Sequence, residues 1–223
     1  MEDPPVKPAT PSSPRRPYRS AKREAAALQT RRRIRDAAET LFLRDGYART
    51  SMKAIAARAG VSEKTMYLTY SSKATLLRRV IEVAVRGDEG LATLAERSDW
   101  RAIVREPPGE VFARFAALNA ALMARTAPII ALAEAAAATE PELAADRAHA
   151  QASARTDLRA LATELKRRGA LAADISEQHA ADTIYALASD VSPYLRLTRD
   201  CGWTDARYAD LIARTLHATL GAR

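Results

Sequence analysis

Residues 50–73 read TSMKAIAARAGVSEKTMYLTYSSK, and they decide the fold. The hydroxyls of Thr50 and Ser51 can accept from the free N–H groups of a first helical turn. Met52, Ile55, Ala56 and Ala59 then share one helical face. Gly60 supplies the left-handed residue that ends a helix without a Cβ penalty. Val61 packs back, and Ser62 caps a second helix that carries Met66 inward and Thr65, Tyr67 and Thr69 outward. Ala56 is small where two helices must cross closely. The pattern predicts a helix-turn-helix, a motif whose second helix enters the DNA major groove.

The flanks extend this unit. A first helix is expected to start near Glu24 or Gln29 and to end at Asp45, with Gly46 as its stop. Ile34, Ala37, Ala38, Leu41 and Phe42 give it an apolar stripe at helical spacing. Arg31, Arg32, Arg33 and Arg35 cluster near its start, either facing a DNA backbone or forming a solvated basic face. Ser71 and Ser72 cap the next helix, which places Leu76, Leu77, Val80, Ile81 and Ala84 on one side. Arg86-Gly87-Asp88-Glu89-Gly90 breaks or bends that helix. Residues 1–23, rich in Pro, Ser and Arg, cannot bury enough apolar surface to fold alone and are expected to be a disordered basic tail. Arg15, Arg16, Arg19, Lys22 and Arg23 either add phosphate contacts or remain solvated.

Several side chains in the motif have two readings. Thr50 and Ser51 cap a helix, and a helix N-terminus is already an anion site, so they also suit a phosphate. Lys53 points outward toward a base edge or a phosphate. Lys64 and Thr65 lie in the first turn of the second helix, where side chains reach bases. Glu63 is unusual in a groove full of negative charge. It either accepts from a cytosine amino group or favours the helix N-terminus, and the second reading is preferred.

The run from Asp36-Ala37-Ala38-Glu39 through Leu41-Phe42, Gly46-Tyr47, Thr50-Ser51-Met52, Ile55-Ala56, Ala59-Gly60-Val61-Ser62, Thr65-Met66-Tyr67, Tyr70 and Lys73 to Leu76-Leu77 closely resembles the N-terminal domain of the tetracycline-repressor (TetR) family of regulators. The close likeness covers about residues 29–81. By this resemblance Lys53 stands at a position able to contact bases, and Tyr67 matches a phosphate-contacting tyrosine. Thr69 stands where a polar residue touches the backbone, and Tyr70 fills an aromatic core position more often held by Phe. Lys73 resembles a lysine placed beside a phosphate at a helix start. Its charge opposes the helix dipole, so stability alone would not select it.

Composition agrees with a helical DNA-binding protein. Hydrophobic residues make up 48% of the chain but aromatics only 5%, so the cores are built largely from small and aliphatic side chains. The net charge of +8 is uneven. Residues 1–86 hold 19 Lys and Arg against 8 Asp and Glu, a net of +11, and the remainder has 16 against 19, a net of −3. The positive field thus sits with the motif, where phosphate attraction uses it. A single Cys201, no expected 18-residue apolar run and no signal-peptide core lead to an expectation of a cytoplasmic chain without membrane association.

From about Leu91 the pattern is all helix with short loops. Arg105-Glu106-Pro107-Pro108-Gly109 is a break. A helix then carries Val111, Phe112, Phe115, Ala116, Leu118 and Leu122. Asn119 lies on the same face and needs a partner, preferably on a neighbouring helix rather than a ligand. Pro128 suits the first turn of another helix over residues 129–138, and Pro141 starts a long one ending at Gly169. Residues 177–199 form a helix that Pro193 kinks or divides, and residues 205–220 form the last. These two amphipathic helices suit a four-helix interface across a two-fold axis, and so a homodimer. The alternative is that they complete the monomer core.

The expected architecture is all-α: a three-helix helix-turn-helix DNA-binding domain over residues 24–86, including a linking helix, and a helical-bundle ligand and dimerisation domain over residues 87–223. The resemblance implies a ligand cavity in the second domain, with Trp100, Phe112, Phe115, Met123, His149, Tyr185 and Tyr194 as candidate lining residues that could equally be ordinary core. It also implies a repressor that binds a pseudo-palindromic operator in double-stranded DNA and is released by a small-molecule effector. No cofactor, metal or catalytic constellation is expected. His149, His179 and His217 lack neighbouring ligands, His179 and Asp182 suit a local pair, and Cys201 lacks a thiolate-stabilising cluster. The alternatives are an architectural DNA-binding protein without ligand control, a helical interaction module and an enzyme built on the bundle. Intact Thr65, Tyr67 and Lys73 count against the last two.

Overall fold

The computed structural model describes residues 18–87 and 102–222, and Trp100 lies outside them. The described residues form helices α1 (Tyr18–Asp45), α2 (Met52–Ala59), α3 (Glu63–Thr69), α4 (Lys73–Arg86), α5 (Val111–Ala136), α6 (Pro141–Arg167), α7 (Glu177–Ala188), α8 (Val191–Leu195) and α9 (Asp205–Leu220), with one π-helical turn at Arg196–Asp200. The all-α expectation holds.

Local chemistry explains most boundaries. Ser51, Ser62, Ser72, Ser176 and Thr204 each accept from the backbone N–H three residues on, capping α2, α3, α4, α7 and α9. Gly60 ends α2 at φ 64°, where the N–H of Val61 reaches back to the Ala56 carbonyl at 3.0 Å and that of Gly60 to Ala57 at 3.2 Å. Pro141 opens α6 in its first turn, where a missing N–H costs nothing.

Three boundaries differ from the sequence reading. α1 begins at Tyr18, so residues 18–23 extend it rather than belonging to a tail. Pro128 does not start a helix but lies inside the unbroken α5. The proline forfeits one helical hydrogen bond, yet buried Ala127 and Ile129 on either side hold the backbone in register. Because α5 is one helix, it is long and apolar enough by length and composition to cross a membrane, against the expectation of no such run. Ten of its residues are buried in the protein, which accounts for the apolarity. Finally, the break between α7 and α8 falls at Ser189 and Asp190, ahead of Pro193. Asp190 caps α8, whose first turn accommodates the proline.

Two cores result. One joins Ile34, Ala38, Phe42, Ile55, Met66, Leu76 and Leu77 of α1–α4. The other gathers Phe112, Phe115, Ala120 and Met123 of α5 with the buried faces of α6, α7, α8 and α9. Ile129 of α5 and Leu143 of α6 join the first core rather than the second. Beyond Pro128, α5 therefore serves both cores: Ile129 enters the first, while Ile130 and Ala131 still pack against the second. Asn119 is buried, and its amide donates to the Ala188 carbonyl at the end of α7 at 2.9 Å, the neighbouring-helix partner preferred from sequence.

Candidate nucleic-acid interface

α2 and α3 form the predicted helix-turn-helix on the face of the basic domain. Met52, Ile55, Ala56 and Ala59 are buried, as are Met66 and Tyr70. Only Met66 anchors the seven residues of α3 in the core. Lys64 and Tyr67 are exposed, and Thr65 and Thr69 are half-buried. Ser62 Oγ accepts from the Thr65 N–H at 3.1 Å and lies 2.8 Å from Thr65 Oγ1, so the cap and its partner stand together at the helix start. Thr69 Oγ1 donates to the Thr65 carbonyl at 2.7 Å.

Lys53 projects from α2 with its side chain 81% exposed, and its Nζ lies 4.0 Å from Glu63 Oε1. Glu63 thus occupies the first turn of α3, where its charge suits the dipole, and faces a cation. Ser51 is exposed and caps α2, with Oγ 3.1 Å from the Ala54 nitrogen. Arg31, Arg32 and Arg33 are exposed along α1, but Arg35 is buried and does not belong to an outward basic face.

Two expected DNA contacts turn inward. Thr50 is buried, and its hydroxyl lies 2.8 Å from the Gly46 carbonyl and 3.2 Å from that of Leu41. It pins the α1–α2 loop and cannot offer that hydroxyl to a phosphate; the cap belongs to Ser51 alone. Lys73 Nζ donates to the carbonyls of Tyr47 at 2.8 Å and Thr50 at 3.1 Å, and sits 4.2 Å from the centre of the Tyr47 ring. These carbonyl dipoles explain how a cation is tolerated at a helix N-terminus. Burial, together with the charges of Glu140 and Glu142, pushes the Tyr47 hydroxyl up to about 12.

α4 is fastened to the second domain at both ends. Near its start, Arg78 Nε donates to Asp146 Oδ2 at 2.7 Å, and Ser72 Oγ lies 3.4 Å from Glu142 Oε2. Near its end, Arg125 of α5 donates to the carbonyls of Ala84 at 2.8 Å and Val85 at 3.1 Å. These carbonyls belong to the last turn of α4, where a cation complements the dipole.

In the second domain, Phe112, Phe115, Met123 and Tyr194 come together in the core, with Tyr185 packed against it. Tyr194 Oη donates to Asp205 Oδ1 at 2.6 Å, and its ring meets Tyr208 edge-on at 5.0 Å. His149 does not join them. It lies on a stretch of α6, residues 147–153, that is exposed throughout. Asp182 takes a hydrogen bond at 2.7 Å from Gln178 and so is engaged along its own helix. Sequence reasoning passed over Leu68, which stands 79% exposed on α3. An apolar residue two after the helix's one core side chain was the available signal.

Residues 34–80 match the family model described as bacterial regulatory proteins, tetR family. A curated relative, the uncharacterized HTH-type transcriptional regulator YfiR of Bacillus subtilis (strain 168), is 36% identical over 70 residues, which is 31% of this chain. The match spans about a third (33%) of that relative's length. Among solved structures, NalD, the secondary repressor of the MexAB-OprM multidrug efflux pump in Pseudomonas aeruginosa, aligns with 87% of this chain and 98% of its own. The TM-score is 0.63 and the identity 21%. Salmonella enterica GusR aligns with 86% of this chain and 96% of its own, at a TM-score of 0.59 and 23% identity. The fold of these two structures extends through both domains.

Proposed function

We propose, from the match of residues 34–80 to the family model of bacterial regulatory proteins, tetR family, that this chain is a homodimeric, cytoplasmic transcriptional repressor released from its operator by a small molecule. The outward face of α3 carries the reading: Lys64 and Tyr67 are exposed on a serine-capped helix held by Met66 alone. Lys64 and Thr65 meet base edges. Ser51, Lys53 and Tyr67 hold the phosphates on either side, and Thr69 joins them once its hydroxyl turns from the Thr65 carbonyl. The +11 charge of residues 1–86 draws the domain to DNA before any base is read.

A second copy supplies the other reading head. α9 buries Tyr208, Ile212, Leu216 and Leu220 in its own core and leaves a shallow groove lined by Leu211, Arg214, Thr215, Ala218 and Thr219 on its outer side. That face suits a two-fold contact between copies.

The effector acts through α5. A small apolar molecule inserted among Phe112, Phe115, Met123, Tyr185 and Tyr194 displaces α5, and Arg125 carries the shift to the end of α4. Moving α4 changes the separation of the two reading heads, so DNA and effector oppose each other reciprocally.

The test is selection of bound sequences from randomised duplex DNA by the purified protein at near-physiological salt. An enriched inverted repeat is expected, and binding of that repeat should weaken about tenfold or more in Lys64→Ala, equivalent to 1.4 kcal/mol. Retention of DNA at low salt with no enriched sequence would instead identify an architectural binder and overturn the proposal.

A further inference from the structure

We propose, resting on the DNA-reading role above, that Leu68 is a specificity-determining residue whose side chain takes the 5-methyl group of a thymine, one or two base pairs from the base met by Lys64. Leu68 is the most exposed large apolar side chain among the described residues, at 79%. Nothing in folding calls for leucine there, because Met66 alone docks α3. Leu68 follows Met66 by two residues and Lys64 precedes it by two, so each lies about 200° around the helix from the buried side chain. They therefore share the outermost face of α3, one turn apart, with Tyr67 beside them.

The chemistry narrows the partner. An alkyl side chain offers neither a donor nor a charge, so it gains nothing from a phosphate. The major groove presents one apolar group, the thymine methyl. Guanine, adenine and cytosine would instead have polar edges stripped of water against Leu68 without replacement, which penalises them. The Cβ atoms of Lys64 and Leu68 are separated by roughly 5–6 Å. Base pairs rise about 3.4 Å. The two side chains thus meet bases one or two steps apart on the same groove wall.

Deoxyuridine tests the assignment, since it lacks only the methyl group. The operator recovered by selection is resynthesised with deoxyuridine at each thymine in turn, and binding is read by fluorescence anisotropy at fixed salt. One thymine per half-site, one or two base pairs from the base whose preference Lys64→Ala relaxes, should weaken wild-type binding about fourfold when substituted, and about fifteenfold when both half-sites are changed. Leu68→Ala should bind the thymine duplex more weakly and show no loss on substitution, whereas Leu68→Met should retain the loss. Uniform wild-type affinity at every substituted position would overturn the assignment, as would Leu68→Ala with undiminished sensitivity. Both leave the DNA-reading role standing. Failure to recover any operator removes that role itself, and Leu68's part with it.

Discussion

Lys73→Met would show whether this lysine holds the domain together or merely awaits DNA. Methionine keeps an unbranched apolar stem over the Tyr47 ring and deletes the ammonium. Two hydrogen bonds to the Tyr47 and Thr50 carbonyls, at 2.8 and 3.1 Å, disappear. Bonds to a charged donor contribute about 1.5–3 kcal/mol each, but Lys73 is half-exposed and water replaces part of them, leaving about 1 kcal/mol apiece. The ring contact adds about 0.5–1 kcal/mol. Removing a cation from a helix N-terminus returns about 0.3–1 kcal/mol. The net loss is about 2 kcal/mol, which for a chain of this size lowers Tm by about 4–8 °C. Thermal unfolding by far-UV circular dichroism, without DNA, measures it. A Tm within about 1 °C of wild type, together with a salt slope of DNA binding smaller by about one, would refute the internal role and restore Lys73 to the phosphates.

Thr50→Val keeps the branched shape and removes the buried hydroxyl that serves Gly46 and Leu41. Urea unfolding should show a loss of about 1–2 kcal/mol, while DNA affinity of the folded protein stays unchanged; weaker DNA binding at unaltered stability would contradict the inward placement. Tyr208→Phe removes a fully buried hydroxyl that lacks a hydrogen-bond partner among the described residues, so stability near neutrality should rise, by about 1 kcal/mol. Burial also pushes the hydroxyls of Tyr47, Tyr194 and Tyr208 up to about 12. The unfolded chain loses these protons near pH 10, so the folded state's advantage is complete below about pH 10 and drains away as the pH rises toward about 12. Tyr208→Phe should flatten that alkaline decline in urea melts taken at each pH. An unchanged slope would mean that Tyr208 does not titrate there.

The helix-turn-helix was legible because its signals are local. Caps at Ser51, Ser62 and Ser72, the stop at Gly60 and the inward Met66 are all set by spacing within a turn or two. The destinations of Thr50 and Lys73 were not legible, since their partners are carbonyls, which every residue carries and no spacing marks. The continuity of α5 through Pro128 was hidden for a different reason. A proline's local preference is to start a helix, and only packing on both sides overrides it. The break at Asp190 carried a readable cap that Pro193 overshadowed. His149 was misplaced because the middle of α6 spans between its contact with the head and its contact with the body, leaving its residues 147–153 in solvent.

The passage of α5 through both cores bears on how such proteins exchange parts. A chain cut after Gly87 would look like a whole reading module, ending on a capped helix, yet it would lack Ile129 and Leu143. The apolar sockets left behind would open to water, and the fragment would melt more easily than its secondary structure suggests. A chimera that grafts this head onto another body must therefore bring the end of α5 beyond Pro128 and the start of α6 with it. The unit that folds around the helix-turn-helix is discontinuous in the chain, so recombination within the 88–101 stretch should yield poorly folded hybrids unless the new body happens to supply matching side chains at those two places.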